Sequence, residues 1–302
     1  MNASNPPMPL VSIITVNFNQ CRVTGELLQS LKGISYQPVE ILVVDNSSQP
    51  GDAEFLRANF PEAVVIRSDV NLGFAGGNNL AVRLSKGAYL LFINNDTEVD
   101  PGFLEPLVKR MKSDDGIGMV SPKIRFFHTP GMIQYAGYTP MQRLTLRQNL
   151  IGYRETDTGQ HDKGGLTHSI HGAAMMVSRK GIEEVGLMAE LYFLYYEEHD
   201  WAARFRDAGY RIYYEPASLV LHKESVSTGR ESPLKTYYIT RNRFLYARRN
   251  LRGAARLMTL VYLSVIAMPK NLLSHLFRKR MDLASAVLRG WIWNIKHLNI
   301  KY

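Results

Sequence analysis

Four short runs rich in β-branched and apolar residues, at 10–18, 39–44, 63–67 and 88–93, limit what this chain can fold into. Each is continuous rather than alternating, so each reads as a strand buried on both faces. Helical patterns at 23–31, 52–59 and 75–84 separate them, and such alternation calls for a mainly parallel sheet covered by helices, an α/β fold. In such sheets ligands bind beyond the carboxyl ends of the strands, which is where polar residues collect here: Asn17 and Asn19, then Asp45 and Asn46, then Asn94, Asn95 and Asp96.

The remainder is less regular. Pro101 reads as the start of a helix, and 125–165, rich in Gly, Thr, Gln and Tyr, reads as long loops forming an acceptor-side flap. An apolar run at 171–177 precedes an acidic aromatic segment at 192–201. A helix over 202–208 follows, closed by Gly209. Neither GxxxxGK[ST] nor GxGxxG occurs, which removes the main support for P-loop and dinucleotide-binding readings.

Charge divides the chain unevenly. Residues 241–302 hold 13 Lys/Arg against one acid, Asp282, so this tail carries +12 of the net +9 and residues 1–240 carry −3. The tail has two apolar stretches, 257–268 and 283–295. Arg248, Arg249, Arg252, Arg256 and Lys270 flank the first, which is too short for a confident membrane span. The second holds Trp291 and Trp293. Together they read as helices lying in an anionic membrane interface, or as helices packed on the catalytic part or a second copy. Nothing resembles a nucleic-acid module. The single Cys21 rules out an internal disulfide and suits a reducing compartment, and residues 1–9 carry neither Lys/Arg nor an apolar core of a leader. The expectation is a cytoplasmic protein, peripheral on the inner face of the plasma membrane.

The segments VSIITVNFN (11–19), VVDNSS (43–48), NLGFAGGNN (71–79) and LFINNDTEV (91–99) resemble the family 2 glycosyltransferases of the GT-A fold, rhamnosyltransferase-like bacterial members above all. The resemblance covers roughly residues 10–245. It implies a catalytic domain over 1–245, a helical basic tail over 246–302, and inverting, metal-dependent sugar transfer from a nucleotide-diphosphate donor such as a dTDP- or UDP-sugar. The acceptor is a glycan or a polyprenyl-diphosphate-linked sugar of the cell envelope, as in O-antigen assembly.

By the same resemblance Asp45 meets the pyrimidine base, and Val16, Asn17, Asn19, Asn71, Gly77, Asn78, Asn95 and Asp96 surround the nucleotide. A hard divalent cation, Mg²⁺ or Mn²⁺, would bridge the diphosphate, with Asp96 and His222 as ligands. The family's DxD motif falls on Asn94-Asn95-Asp96, so its first acid is an Asn here. The family's Glu-Asp pair falls on Glu197-Glu198, which makes Glu198 the catalytic base and Asp200 the runner-up. Gly172, Glu197 and Trp201 fall on the acceptor side. Two other readings are a catalytically silent nucleotide-sugar-binding scaffold, which the Asn94 and Glu198 departures favour, and a sugar nucleotidyltransferase, which lacks its phosphate loop.

Overall fold

The computed structural model describes residues 8–224 and 231–300, so most of the segment 1–9 lies outside the described residues. Strands β1 (Val11–Asn17), β2 (Val39–Asn46), β3 (Ala63–Ser68) and β4 (Tyr89–Ile93) form at the four expected runs. They pair in parallel in the order β3-β2-β1-β4. Helices α1 (Cys21–Leu31), α2 (Asp52–Asn59) and α3 (Gly73–Val82) connect them. The continuous apolar runs are explained by two cores. Val11 and Ile13 join Leu27 and Leu91 on one face, while Ile14 joins Phe92, Met175 and Trp201 on the other.

The chain winds from β1 outward through β2 and β3, then crosses back to place β4 on the other side of β1. That reversal leaves a crevice beyond the carboxyl ends of β1 and β4. Beyond β4 lie β5 (Thr97–Val99), α4 (Leu104–Lys112) and β6 (Ile117–Phe126). The helix expected from Pro101 begins three residues later, at Leu104. The run at 171–177 yields β9 (Ala174–Ser178), which lies antiparallel between β4 and β6, so the sheet is mixed there. Helix α5 (Arg179–Val185) follows, its N-terminus capped by the Ser178 hydroxyl accepting from Gly181 N–H.

The stretch 125–165 holds β7 (Ile133–Tyr135), with β8 (Gly165–Leu166) at its end, and is otherwise looped as expected. It is not loosely attached. The buried Lys123 ammonium donates to Asp157 at 2.9 and 3.1 Å, Arg125 Nε donates to the same carboxylate at 2.7 Å, and Ile133 and Tyr135 are fully buried. Burial pushes the Asp157 carboxyl up, but Lys123 and Arg125 outweigh it and hold it at about 2.

Helix α6 (Glu197–Asp207) begins five residues earlier than expected, so the acidic pair lies in its first turn, where the helix dipole favours negative charge. Strand β10 (Arg211–His222) then pairs with β6 and β5, and its register sets His222 opposite Thr97. Helix α7 (Pro233–Asn250) runs unbroken through the 245/246 boundary expected between catalytic domain and tail. Helix α10 (Met281–Lys296) lies against it at close range: a Cβ at Gly290 would stand 2.8 Å from the Tyr237 carbonyl oxygen, and Asn294 Nδ2 donates to Arg241 O.

Between these two, α8 (Gly253–Tyr262) and α9 (Met268–Phe277) join through a π-helical turn, Leu263–Ala267, into one 25-residue helix. The dozen apolar residues read from sequence are therefore part of a longer element, long and apolar enough to cross a membrane by length and composition. Pro269, which lacks an N–H and crowds the preceding turn, falls just after the wider π turn, and the helix continues through it.

Candidate active site

A cavity of about 410 Å³ opens at the carboxyl ends of β1 and β4, within the roughly 300–1,000 Å³ common for small-ligand sites. Val16, Asn71 and Asn78 line one side, Asn95, Asp96 and His222 the floor, and Gly172, Glu197 and Glu198 the far wall. Asn17, Asn19, Asp45, Gly77, Asp200 and Trp201 do not line it.

Asn17 and Asp45 lie in a saturated buried network. Asn17 Nδ2 donates to Asp45 Oδ1 (3.0 Å), Ser48 Oγ (3.0 Å) and Asp52 Oδ2 (3.2 Å), while Arg67 donates to Asp45 Oδ2 at 2.7 Å. Asn95 Nδ2 donates to Thr24 Oγ1, which in turn donates to Asn17 Oδ1, so a relay of amides and hydroxyls joins the cavity floor to Asp45. Asn19 closes the same corner by accepting from Gln49 N–H. Gly77 serves packing: a Cβ there would meet both methyls of Val16 at 3.1 Å. Asn46 was not assigned from sequence, yet its side chain fixes the α3 entry by bonding Asn71, Leu72 N–H and the Gly73 carbonyl.

On the floor, Asp96 Oδ1 and His222 Nε2 stand 3.2 Å apart. Gln134 Oε1 accepts from His222 Nδ1 at 2.8 Å, which leaves the Nε2 lone pair turned to the carboxylate. A carboxylate oxygen and an imidazole nitrogen are both donor atoms that a divalent cation accepts. Neighbouring ligands on an octahedral Mg²⁺ or Mn²⁺ sit roughly 3 Å apart, given bonds of about 2.1 Å, so the pair fits one edge of such a site. No cluster of three or more His, Cys, Asp or Glu exists among the described residues, so further ligands would come from phosphate and water. His171, also in the lining, has its basicity pushed down to about 3 by burial and then by His222 and His199, and it is a neutral ring.

The far wall differs. Glu197 Oε2 and Glu198 Oε2 are buried without a hydrogen-bond partner. Burial, then the neighbouring Glu198, holds the Glu197 carboxyl well above its ordinary range. Gly172 backs onto Glu198, where a Cβ would lie 4.0 Å from Oε1. Lys235, in the first turn of α7, is the only Lys or Arg of the lining among the described residues.

Asp200, two residues on, is placed quite otherwise. It accepts from Tyr192 Oη (3.0 Å), Asn250 Nδ2 (2.8 Å), Arg249 Nε (2.9 Å) and Arg204 Nε (3.1 Å). Burial pushes its carboxyl up, but Arg249, Asn250 and Arg204 outweigh it and hold it below the usual value. This position, outside the cavity lining, ties α6 to α7. Trp201 likewise sits in the core, edge-on to Phe92 at 5.4 Å, its indole N–H donating to the Gly186 carbonyl. An α-helix turns about 100° per residue, so these neighbours of Glu198 face inward where Glu198 faces the cavity.

The turn leading into the acids is strained. Phe193, Tyr195 and Tyr196 have φ of 63°, 68° and 77°, a left-handed conformation that costs bulky residues on the order of 1–3 kcal/mol each. The Phe193 carbonyl accepts from Phe74 N–H at 2.7 Å. The fit is close because Gly73, at φ 69°, has no Cβ to strike that carbonyl.

A parallel half-sheet with a cavity at its switch point, an antiparallel insert and acids on the opposite wall make up the GT-A fold. The mannosyltransferase PcManGT of Pyrobaculum calidifontis, solved with GDP-Man and Mn²⁺, has this fold: TM-score 0.57, 15% identity, covering 96% of this chain and 76% of that one. Residues 12–186 match the model of glycosyl transferase family 2, and the chain belongs to that family as a glycosyltransferase of glycan biosynthesis. It is 26% identical over 293 residues to the low-salt glycan biosynthesis hexosyltransferase Agl10 of Haloferax volcanii, across 95% of this chain and 91% of that protein. It is also 23% identical over 245 residues to the N-acetylglucosaminyl-diphospho-decaprenol L-rhamnosyltransferase of Mycobacterium tuberculosis, across 74% and 78% of the two chains.

Proposed function

We propose that the cavity transfers a sugar, with inversion, from a nucleoside-diphosphate donor to a lipid-linked glycan acceptor, and that Glu198 is the base. One observation carries this reading: a cation-ready Asp96–His222 pair and a carboxylate with an unpartnered oxygen line the same cavity. In the step, Glu198 takes the proton of an acceptor hydroxyl as that oxygen bonds to the anomeric carbon. The carbon–oxygen bond to the diphosphate breaks on the opposite face, its electron pair leaving with the diphosphate. Asp96 and His222 would hold a divalent cation. Bound there, it supplies positive charge for the leaving diphosphate, and Lys235 adds a second positive charge. Glu197, whose carboxyl is raised by burial and then by Glu198, lines the wall beside the base. For Asp45 to meet the nucleobase, Arg67, which is partly exposed, would have to give up its bond to Oδ2. The rhamnosyltransferase relative names a diphospho-decaprenol acceptor and supports a polyprenyl-linked substrate here, with dTDP-rhamnose as a donor to test first.

The same reading docks the protein on an anionic membrane through α8 and α9. Leu257, Val265 and Phe277 are 65%, 68% and 85% exposed there, with Arg252 and Arg256 at one end and Arg278, Lys279 and Arg280 at the other. The test of the donor site is a thermal-shift screen of dTDP-, UDP- and GDP-sugars with and without Mn²⁺, followed by transfer assays. Stabilisation that needs the cation and disappears in Asp96→Ala supports the reading. Equal shifts in that variant contradict it.

A further inference from the structure

We infer that Asn242 and Arg241, in the middle of α7, are positioning residues that aim Glu198 at the acceptor, an inference that rests on Glu198 being the base. The Glu197-Glu198 pair follows directly on the left-handed residues Phe193, Tyr195 and Tyr196. Apart from that of Phe193, which accepts from Phe74 N–H of α3, the backbone carbonyls at 191–195 meet donors from α7. There Asn242, fully buried, donates from Nδ2 to the carbonyls of Tyr192 (3.0 Å), Leu194 (2.7 Å) and Tyr195 (2.7 Å). Arg241 donates to the carbonyls of Leu191 (2.7 Å) and Tyr192 (2.5 Å).

The amide cannot turn over, because Asn242 Oδ1 accepts from Arg241 Nε at 2.8 Å, so its NH₂ must face the carbonyls. Arg241 is fixed in turn from α10: Asn294 Nδ2 bonds its carbonyl, and the Trp293 ring lies 4.7 Å from its guanidinium. Phe193 adds a stack on Tyr238 of the same helix at 5.1 Å. Four of the five carbonyls from 191 to 195, all but that of Phe193 which bonds α3, are therefore held by two adjacent side chains. What these contacts hold in place is the backbone that sets the direction of the first turn of α6, and with it the unpartnered carboxylate oxygen of Glu198.

Only a side chain that donates two N–H groups and accepts one suits this place. Asp at 242 keeps the shape but turns an oxygen on the carbonyls, and Ala leaves them without donors. A displacement of about 1 Å at a reacting group costs on the order of 10²-fold in rate. The experiment compares Asn242→Ala, Asn242→Asp and the milder Arg241→Lys in the full-length chain, with whichever of dTDP-rhamnose, UDP-glucose or GDP-mannose is turned over. For Asn242→Ala, kcat should fall about 10–100-fold with donor KM and UDP affinity within twofold. In a Glu198→Gln background the same change should cost less than threefold, since no base remains to aim.

Hydrogen exchange of segment 191–198 supplies a readout independent of turnover, and it should quicken in both Asn242 variants and, less, in Arg241→Lys. Wild-type kcat in Asn242→Ala, an equal loss in both backgrounds, or unchanged exchange in the segment would overturn the inference. If Glu198→Gln alone transfers at the wild-type rate, the base assignment has failed, and exchange then decides whether α7 holds the turn. If the Asn242 variants do not fold, the same exchange and kcat criteria apply to Arg241→Lys.

Discussion

The tips of β1 and β2 and the first turn of α6 face each other across one cavity and treat their polar groups in opposite ways. Around Asn17 and Asp45 every carboxylate and amide is matched by donors and acceptors from four elements. Around Glu197 and Glu198 a carboxylate oxygen on each residue has none. The first arrangement stabilises the fold and presents a fixed surface to a ligand. The second costs stability, and such a cost persists where unmet hydrogen-bonding capacity is to be met by a substrate. Asp200 sharpens the contrast, since one helical face away from Glu198 it is saturated by two arginines, a tyrosine and an asparagine.

The largest effect expected from this contrast is on turnover. Glu198→Gln keeps the shape and removes the proton acceptor, so kcat should fall by roughly 10²–10⁴-fold with little change in donor affinity or unfolding midpoint. Asp200→Asn should do the reverse. It leaves Arg249 and Arg204 buried without their counter-charge and should destabilise by about 3 kcal/mol in urea titrations. Full activity in Glu198→Gln, or an unaltered midpoint in Asp200→Asn, would erase the distinction. On the saturated side, Asp45→Ala strands Asn17 and Arg67, of which the latter reaches water. A loss of about 1–3 kcal/mol is expected, with weaker UDP and dTDP binding by calorimetry.

A smaller effect concerns pH. The Glu197 carboxyl is raised by burial and by Glu198, so the folded state holds its proton above the ordinary value of 4.5 while the unfolded chain releases it. Its contribution to stability is complete below that value and is lost as pH rises through the folded one. The gap in urea midpoint between Glu197→Gln and wild type should therefore widen in favour of the variant from pH 5 to pH 8; a gap that stays flat would show that Glu197 ionises freely. The smallest effect on the fold is expected at the tail, where Val265→Glu and Phe277→Glu should move stability by less than about 0.5 kcal/mol. The same variants should lower co-flotation with anionic vesicles. Unchanged flotation would leave the apolar face without a membrane role.

Much of this architecture was legible because burial on both faces of β1, β2 and β4 forces continuous apolar runs, which are hard to mistake. The start of α6 was missed by five residues, because its entry depends on left-handed aromatic residues that no turn signal in Phe-Leu-Tyr-Tyr announces. The extended helix at 253–277 was cut short at Pro269, since a π turn has no sequence mark. Among the site positions, the resemblance put Glu198 ahead of Asp200 as the base, but nothing in the sequence announced what Asp200 binds. Two of its partners, Arg249 and Asn250, lie some 50 residues away, and the roles of Arg241 and Asn242 were hidden for the same reason.

The most direct measurement is the anomeric configuration of the transferred sugar, followed by NMR from the first turnovers. With Glu198 taking the acceptor proton, attack comes on the face of the anomeric carbon away from the leaving diphosphate, so the product should carry the configuration opposite to that of the donor. Retention of configuration would contradict the assignment of Glu198 as the base.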